Sequence, residues 1–152
     1  MTVDAEISDE EEVASKVPEY RLQQQVGFIL RKASQRHVAI FASQIADLTP
    51  PQFAALAKLL DAGDCSQNQL GQLIAMDAAT IKGVIDRLKA RGLVTTTEDM
   101  EDRRRVVVAL TDEGRSTVTR LMPIAIKISQ ETLAPLNNRE SATLLRLLSK
   151  IT

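Results

Sequence analysis

From Tyr20 to about Ala46 apolar and polar positions alternate with a helical period and no proline intervenes, with Leu22, Val26, Ile29, Leu30, Ala33, Ile40, Phe41 and Ile45 among the apolar positions. Gly27 is the weak point of that pattern. One helix of this span exceeds what a small core needs and points to a helix shared between subunits. Leu48-Thr49-Pro50 starts a second helix, since Thr49 suits an N-cap and Pro50 a first turn. Phe53, Leu56, Leu59 and Leu60 form its apolar stripe, and Ala62-Gly63-Asp64 ends it. Ser66 caps the next helix, with Leu70, Leu73 and Ile74 expected inward. Asp77 caps the one after, where Ile81, Val84, Ile85 and Leu88 repeat at three and four. Only Met76 and its neighbours separate those two helices, so they must turn sharply against each other.

Arg91-Gly92 closes that helix and releases the chain into Leu93–Thr97, rich in β-branched residues. The turn EDMEDRRR follows, and Val106, Val107 and Val108 form the return strand. A helix able to enter a major groove is thus followed at once by a hairpin tipped with Arg103, Arg104 and Arg105. Thr111-Asp112-Glu113-Gly114 opens another helix, with the acids favourable at its N-terminus. It carries Val118, Leu121, Ile124, Ile128 and Leu133, should kink at Pro123, and ends at Pro135. Asn138 starts a last helix with Leu144, Leu145, Leu147, Leu148 and Ile151. The expected fold is therefore mainly α with a small β-hairpin wing, an α+β winged helix-turn-helix. The terminal helices carry more apolar surface than the central unit can cover. Oligomerisation accounts for the excess; an antiparallel pair within one subunit is the alternative.

The 152 residues suffice for one compact domain or a small domain with oligomerising arms. Net charge is −1, which changes meaning once the chain is divided. Residues 1–12 hold Asp4, Glu6, Asp9, Glu10, Glu11 and Glu12 and no base, so the remainder carries 19 basic against 14 acidic side chains, or +5. The tail, taken as residues 1–18, is expected to be acidic and disordered. It is either inert or a repellent of non-specific DNA. No apolar run approaches the roughly 18 residues of a membrane span, and the N-terminus lacks the parts of a secretory signal, so a cytoplasmic location is expected. With one His, one Cys, no glycine-rich phosphate loop and no metal-spaced cluster, neither an enzyme, a metal site nor a cofactor is expected.

The motif Asp99-x-x-Asp102-Arg103-Arg104 before Leu110-Thr111-x-x-Gly114, with Asp86-Arg87-Leu88-x-x-Arg91-Gly92-Leu93-Val94 upstream, resembles the MarR family of bacterial regulators. The resemblance covers roughly residues 19–150, with Met100 where the family's wing usually has a proline. The wording Gln35-Arg36-His37, Leu48-Thr49-Pro50-Pro51-Gln52-Phe53-Ala54 and Met76-Asp77-Ala78-Ala79-Thr80 looks like a narrower branch that regulates aromatic-acid and nicotinate catabolism. What the resemblance implies is a homodimer on a pseudo-palindromic operator in double-stranded DNA at the bacterial nucleoid. It implies repression lifted by a small aromatic, phenolic or carboxylic ligand. The implied organisation is a helical dimerisation region from residues 19–46 and 111–152 around a DNA-binding domain at 47–110. The family's Asp-x-Arg wing pattern maps to Asp102, which would orient a nearby arginine, and Arg104, which would enter a minor groove.

Recognition helices present their N-terminal residues to base edges, which singles out Ala78, Ala79, Thr80 and Lys82. Ala and Thr methyls suit thymine methyls, and Lys82 suits guanine or phosphate. Gly83 stands where relatives often keep a longer side chain, which permits close approach of the backbone. Arg87 and Lys89 read as phosphate contacts or surface charge, and Ser66, Gln67 and Asn68 complete the contact candidates with the three wing arginines. For the effector, His37 is the only histidine, Phe28, Phe41 and Phe53 are candidate apolar walls or plain core, and Arg36, with Arg21 and Arg31, is a candidate carboxylate partner. Two other readings stay open: a redox-responsive regulator acting through Cys65, and a winged-helix protein-interaction module without a DNA target.

Overall fold

The computed structural model describes residues 18–152, so most of the acidic tail lies outside the described residues. The described residues divide into a unit ending at Ala33 and a larger one, Ser34–Thr152. The elements are a 3-10 turn at Leu22–Gln24, then α1 (Val26–Gln44), α2 (Pro50–Ala62), β1 (Cys65–Ser66), α3 (Gln67–Leu73), α4 (Ala78–Ala90), β2 (Val94–Glu98), β3 (Val106–Leu110), α5 (Asp112–Thr132) and α6 (Asn138–Leu148).

The single helix expected from Tyr20 onward is divided at Gln25, whose backbone is extended (φ −82°, ψ 135°). Its side-chain amide donates to the Arg21 carbonyl, and its own carbonyl accepts the Ile29 N–H that opens α1. A glutamine side chain can satisfy a backbone carbonyl in this way without disturbing apolar periodicity, so the pattern does not reveal the break.

The predicted caps are present. Thr49 Oγ1 accepts the Gln52 N–H while Gln52 Oε1 accepts the Thr49 N–H, a reciprocal box that also satisfies the buried Gln52. Ser66, Asp77 and Thr111 each accept the N–H three residues on, and Asn137 forms a second box with Glu140. The turn between α3 and α4 is as tight as the sequence requires: Met76 N–H donates to the Gly71 carbonyl, and Ala75 is held at φ 56°. α5 continues through Pro123 and stops at Thr132, before Pro135.

One core fills the larger unit, where Ala55, Leu56, Leu70, Ile81, Ile85, Leu88, Val108 and Val118 are fully buried. α2 packs on α4 and α5, and α3 on α4. Leu73, expected inward, is 48% exposed. α3 is short, and its buried line runs through Ser66, Leu70 and the half-buried Ile74 at a spacing of four, which turns Leu73 out.

The wing is a three-stranded antiparallel sheet in the order β1-β3-β2, with Cys65 opposite Val108 and Glu98 opposite Val106. Cys65, which lies between the two helices read from the sequence, is therefore strand-paired; two residues are too few to show an alternation. The base of the wing is fastened to α5. Thr111 N–H donates to the Leu93 carbonyl, Thr111 Oγ1 donates to the Gly92 carbonyl, and that oxygen accepts the Gly114 N–H. A Cβ on Gly114 would lie 1.9 Å from the Leu93 carbonyl oxygen, so only glycine fits.

Candidate nucleic-acid interface

α4 buries Ile81, Val84, Ile85 and Leu88 and leaves Ala78, Ala79, Thr80, Lys82 and Arg87 exposed. Asp77 fixes where the helix begins. Its Oδ1 accepts the Thr80 N–H at 2.7 Å. That backbone hydrogen bond, then one from the Thr80 side chain, holds the carboxyl below its ordinary value. Lys82 is not free: its ammonium is 2.7 Å from Asp86 Oδ2, one turn along the same exposed face. A contact from Lys82 to DNA must exchange or share that partner. Lys89 Nζ donates to Thr96 Oγ1 and so ties α4 to β2. Arg87 has no side-chain partner among the described residues.

At the wing tip, Asp99 and Asp102 each fold the turn on itself. Asp99 Oδ1 accepts the Glu101 N–H and Asp102 Oδ1 accepts the Arg104 N–H, both at 3.0 Å. The expectation that Asp102 orients an arginine side chain is corrected: Asp102 holds backbone, and the acid that faces an arginine is Asp99, 3.8 Å from Arg105 Nε. An aspartate two residues before a free N–H closes a turn without reaching outward, and that geometry prevails here. Arg103 and Arg104 are exposed and, among the described residues, have no side-chain partner. Ser66 caps α3 through its Oγ, as expected, and is buried; with Gln67 and the exposed Asn68 it lines a shallow recess shared with Arg104 and Arg105.

Beneath this surface lies a second feature. A cavity of about 280 Å³ is walled by His37 and Phe41 of α1, Pro50, Phe53 and Ala54 of α2, and Ala125, Ile128 and Ser129 of α5. Three of the expected effector residues, His37, Phe41 and Phe53, are thus brought together, and the two phenyl rings meet edge to face at 6.1 Å. Pro50, Ala54, Ala125, Ile128 and Ser129 were not expected; small and ordinary side chains give no sequence signal of a cavity wall. Thr132 donates its hydroxyl to the Ile128 carbonyl, so it accepts from His37 Nδ1 at 2.9 Å. His37 therefore carries a proton on Nδ1, and Nε2 has no partner among the described residues. Arg36 is outside the cavity wall; its guanidinium donates to the Glu131 carbonyl in the last turn of α5. Phe28 belongs to the N-terminal unit, with Lys32 Nζ 5.7 Å above its ring.

Cys65 is half-buried, and burial first, then Asp64, pushes its thiol up. Among the described residues no group of three or more His, Cys, Asp or Glu side chains is placed to hold a metal ion, and no helix is long and apolar enough to cross a membrane.

Comparison with known proteins gives a consistent answer. A profile of the MarR family matches residues 46–105. The HTH-type transcriptional repressor NicR of Pseudomonas putida is 45% identical over 134 residues, 87% of this chain and 85% of that protein. The structure of Bordetella bronchiseptica BpsR, whose DNA binding is regulated by 6-hydroxynicotinic acid, superposes with a TM-score of 0.83 at 45% identity, covering 87% of this chain and 96% of BpsR. The transcriptional repressor CouR, bound to a 23-mer DNA duplex, superposes with a TM-score of 0.76 at 30% identity over 86% of this chain and 94% of CouR. An exposed helix after a tight turn, an arginine-tipped wing locked to the next helix, and these likenesses agree: the chain belongs to the MarR family.

Proposed function

We propose that this protein is a homodimeric, sequence-specific DNA-binding repressor released by a small aromatic acid. The observation that carries the DNA reading is the wing, where Arg103 and Arg104 stand exposed without a side-chain partner among the described residues, together with the open face of α4. Unpaired guanidinium groups on a stiff turn are suited to phosphate and to a narrow minor groove. Ala78, Ala79 and Thr80 offer methyl contacts to base edges while the wing and Arg87 neutralise backbone charge. Exposed leucines on α6 support dimerisation, which places two such units on two half-sites. Residues 47–110 then act as the DNA-binding part, with 19–46 and 111–152 as the dimerising part. The site of action is nucleoid DNA in the cytoplasm.

The cavity between α1, α2 and α5 supplies the switch. Its aromatic walls fit a flat ring, and His37 Nε2 accepts from a phenol or lactam group, or donates to a carboxylate once protonated. α2 packs against both α5 and α4, so a ligand wedged between α2 and α5 changes the seat of the reading helix. BpsR's regulation by 6-hydroxynicotinic acid supports a ligand of that class. The redox alternative is disfavoured, because a half-buried thiol held up by burial and by Asp64 has little thiolate to react.

The test is selection of bound genomic fragments by the purified protein, a salt series on the selected site, and release by a panel of hydroxylated aromatic and pyridine carboxylic acids. A steep loss of affinity with salt marks a phosphate-neutralising DNA complex and argues against a protein-interaction module. A protein that enriches no fragment is not the repressor proposed, and one that no member of the panel displaces has a different switch.

A further inference from the structure

Gly83 is an anomaly inside the reading helix. It occupies the interior of α4, where glycine is less favourable than alanine. Among the described residues nothing requires it. Its φ is not in the left-handed region, and a Cβ built on it meets no atom within 4 Å. Gly114 shows what a structurally required glycine looks like in this fold, with backbone 1.9 Å from the missing Cβ. The space over Gly83 is thus open to a contact from outside the chain.

Its position says from where. With Ile81, Val84, Ile85 and Leu88 buried, Gly83 lies on the opposite side of α4, between the exposed Lys82 and Arg87. The Lys82–Asp86 ion pair lies beside it and leaves the space over Gly83 open.

We infer that Gly83 is a specificity-determining position: its missing side chain lets the backbone of α4 settle against the operator, bringing Ala79, Thr80 and Lys82 within reach of the bases. The inference rests on the DNA-binding reading above. Glycine at this point exchanges intrinsic helix stability for close approach to a ligand. A methyl group there holds the helix off the groove and loosens every short contact on either side of it. Contacts from the wing and from long basic side chains to phosphate are more tolerant of such a shift.

Gly83→Ala is the decisive variant, because a structural role and a recognition role move stability and binding differently. The variant and the native protein are compared at equal concentration by thermal unfolding, and by titration of the native-selected operator and of a random-sequence duplex of equal length. The expected result is an unfolding midpoint raised by about 2–4 °C. Operator affinity should fall at least about tenfold, with random-duplex affinity within about twofold of native. A stabilised variant with native operator affinity overturns the inference. So does a lowered midpoint, which assigns the glycine a role within the fold. Equal losses on both duplexes also overturn it, since they show general binding and not specificity. If the native protein selects no operator, the function proposed above fails and this inference with it; failure of the variant test alone leaves that function standing.

Discussion

A methyl group at residue 114 would sit 1.9 Å from the Leu93 carbonyl oxygen and 2.9 Å from the Leu93 carbonyl carbon. Both neighbours are backbone, held by the same Thr111 hydrogen bonds that fasten the wing, so neither can yield cheaply. Gly114→Ala should destabilise the protein by about 3 kcal/mol or more, read by thermal or denaturant unfolding. A variant of native stability would mean the wing base is looser than its geometry states. Arg104 is the opposite case. It belongs to the same motif, yet its side chain has no protein partner among the described residues, so its removal should leave the unfolding midpoint alone. Arg104→Ala should cost about 1–3 kcal/mol of operator affinity. If Arg104 lies against phosphate in a minor groove, the slope of affinity against salt also falls, by about one. Unchanged affinity would remove Arg104 from the interface. The resemblance marked Arg104 as a contact and left Gly114 as part of a motif; the backbone atoms around Gly114 give it its place in the scaffold.

Helix α4 is placed by its N-cap. Asp77 is depressed in the folded protein because the Thr80 backbone N–H, and next the Thr80 side chain, bind the ionised form. The sign follows. A folded value below the unfolded one gives stability that is complete above the unfolded carboxylate range, about pH 4, and is lost as pH falls through the folded value. Asp77→Asn keeps a capping oxygen without the titration. The difference in unfolding midpoint between native protein and variant should thus be constant near neutrality and shrink below about pH 4. A difference that does not change in acid would show that the cap contributes no ionic part. The caps, the tight turn and the buried stripe of α4 were all legible in the sequence, because each depends on a few adjacent residues. The break at Gln25 is also local, a side chain reaching the Arg21 carbonyl four residues back, and it escaped because it leaves the apolar period intact. What else escaped mostly depends on distant residues: β1 exists only because Val107 and Val108 return beside it. The cavity is half legible for the same reason. A lone histidine and scarce phenylalanines attract notice, whereas Ala125 and Ser129 become walls only when α5 lies across α1 and α2. Asp102 was assigned to an arginine on the family's wing pattern, while the turn hydrogen bond it makes needs coordinates.

The charge of the whole chain hides its character, since an acidic start offsets a basic body that can meet DNA. Its apolar surface does not hide. No residue of α6 is buried, yet Leu144, Leu145 and Leu147 are exposed along it, and Leu136, Leu144 and Leu147 line one groove with Arg139, Glu140 and Thr143. A helix with an apolar face and, among the described residues, nothing over it is stable in water only when another surface covers that face. A second copy of the chain is the economical cover, because two reading heads at fixed spacing also raise affinity for a two-part site. The native protein should therefore sediment at about twice its 16.7 kDa chain mass. Leu144→Glu combined with Leu147→Glu should bring it to the chain mass. The wing and α4 lie elsewhere in the fold and do not pack on these two residues, so the core should survive and far-ultraviolet circular dichroism should show most of the helix retained. Operator affinity should nevertheless fall at least about a hundredfold, since each monomer then reaches only one half-site at a time. A double variant that remains dimeric would move the dimer interface away from α6. One that is monomeric yet binds the full operator as the native protein does would show that the two heads act without each other.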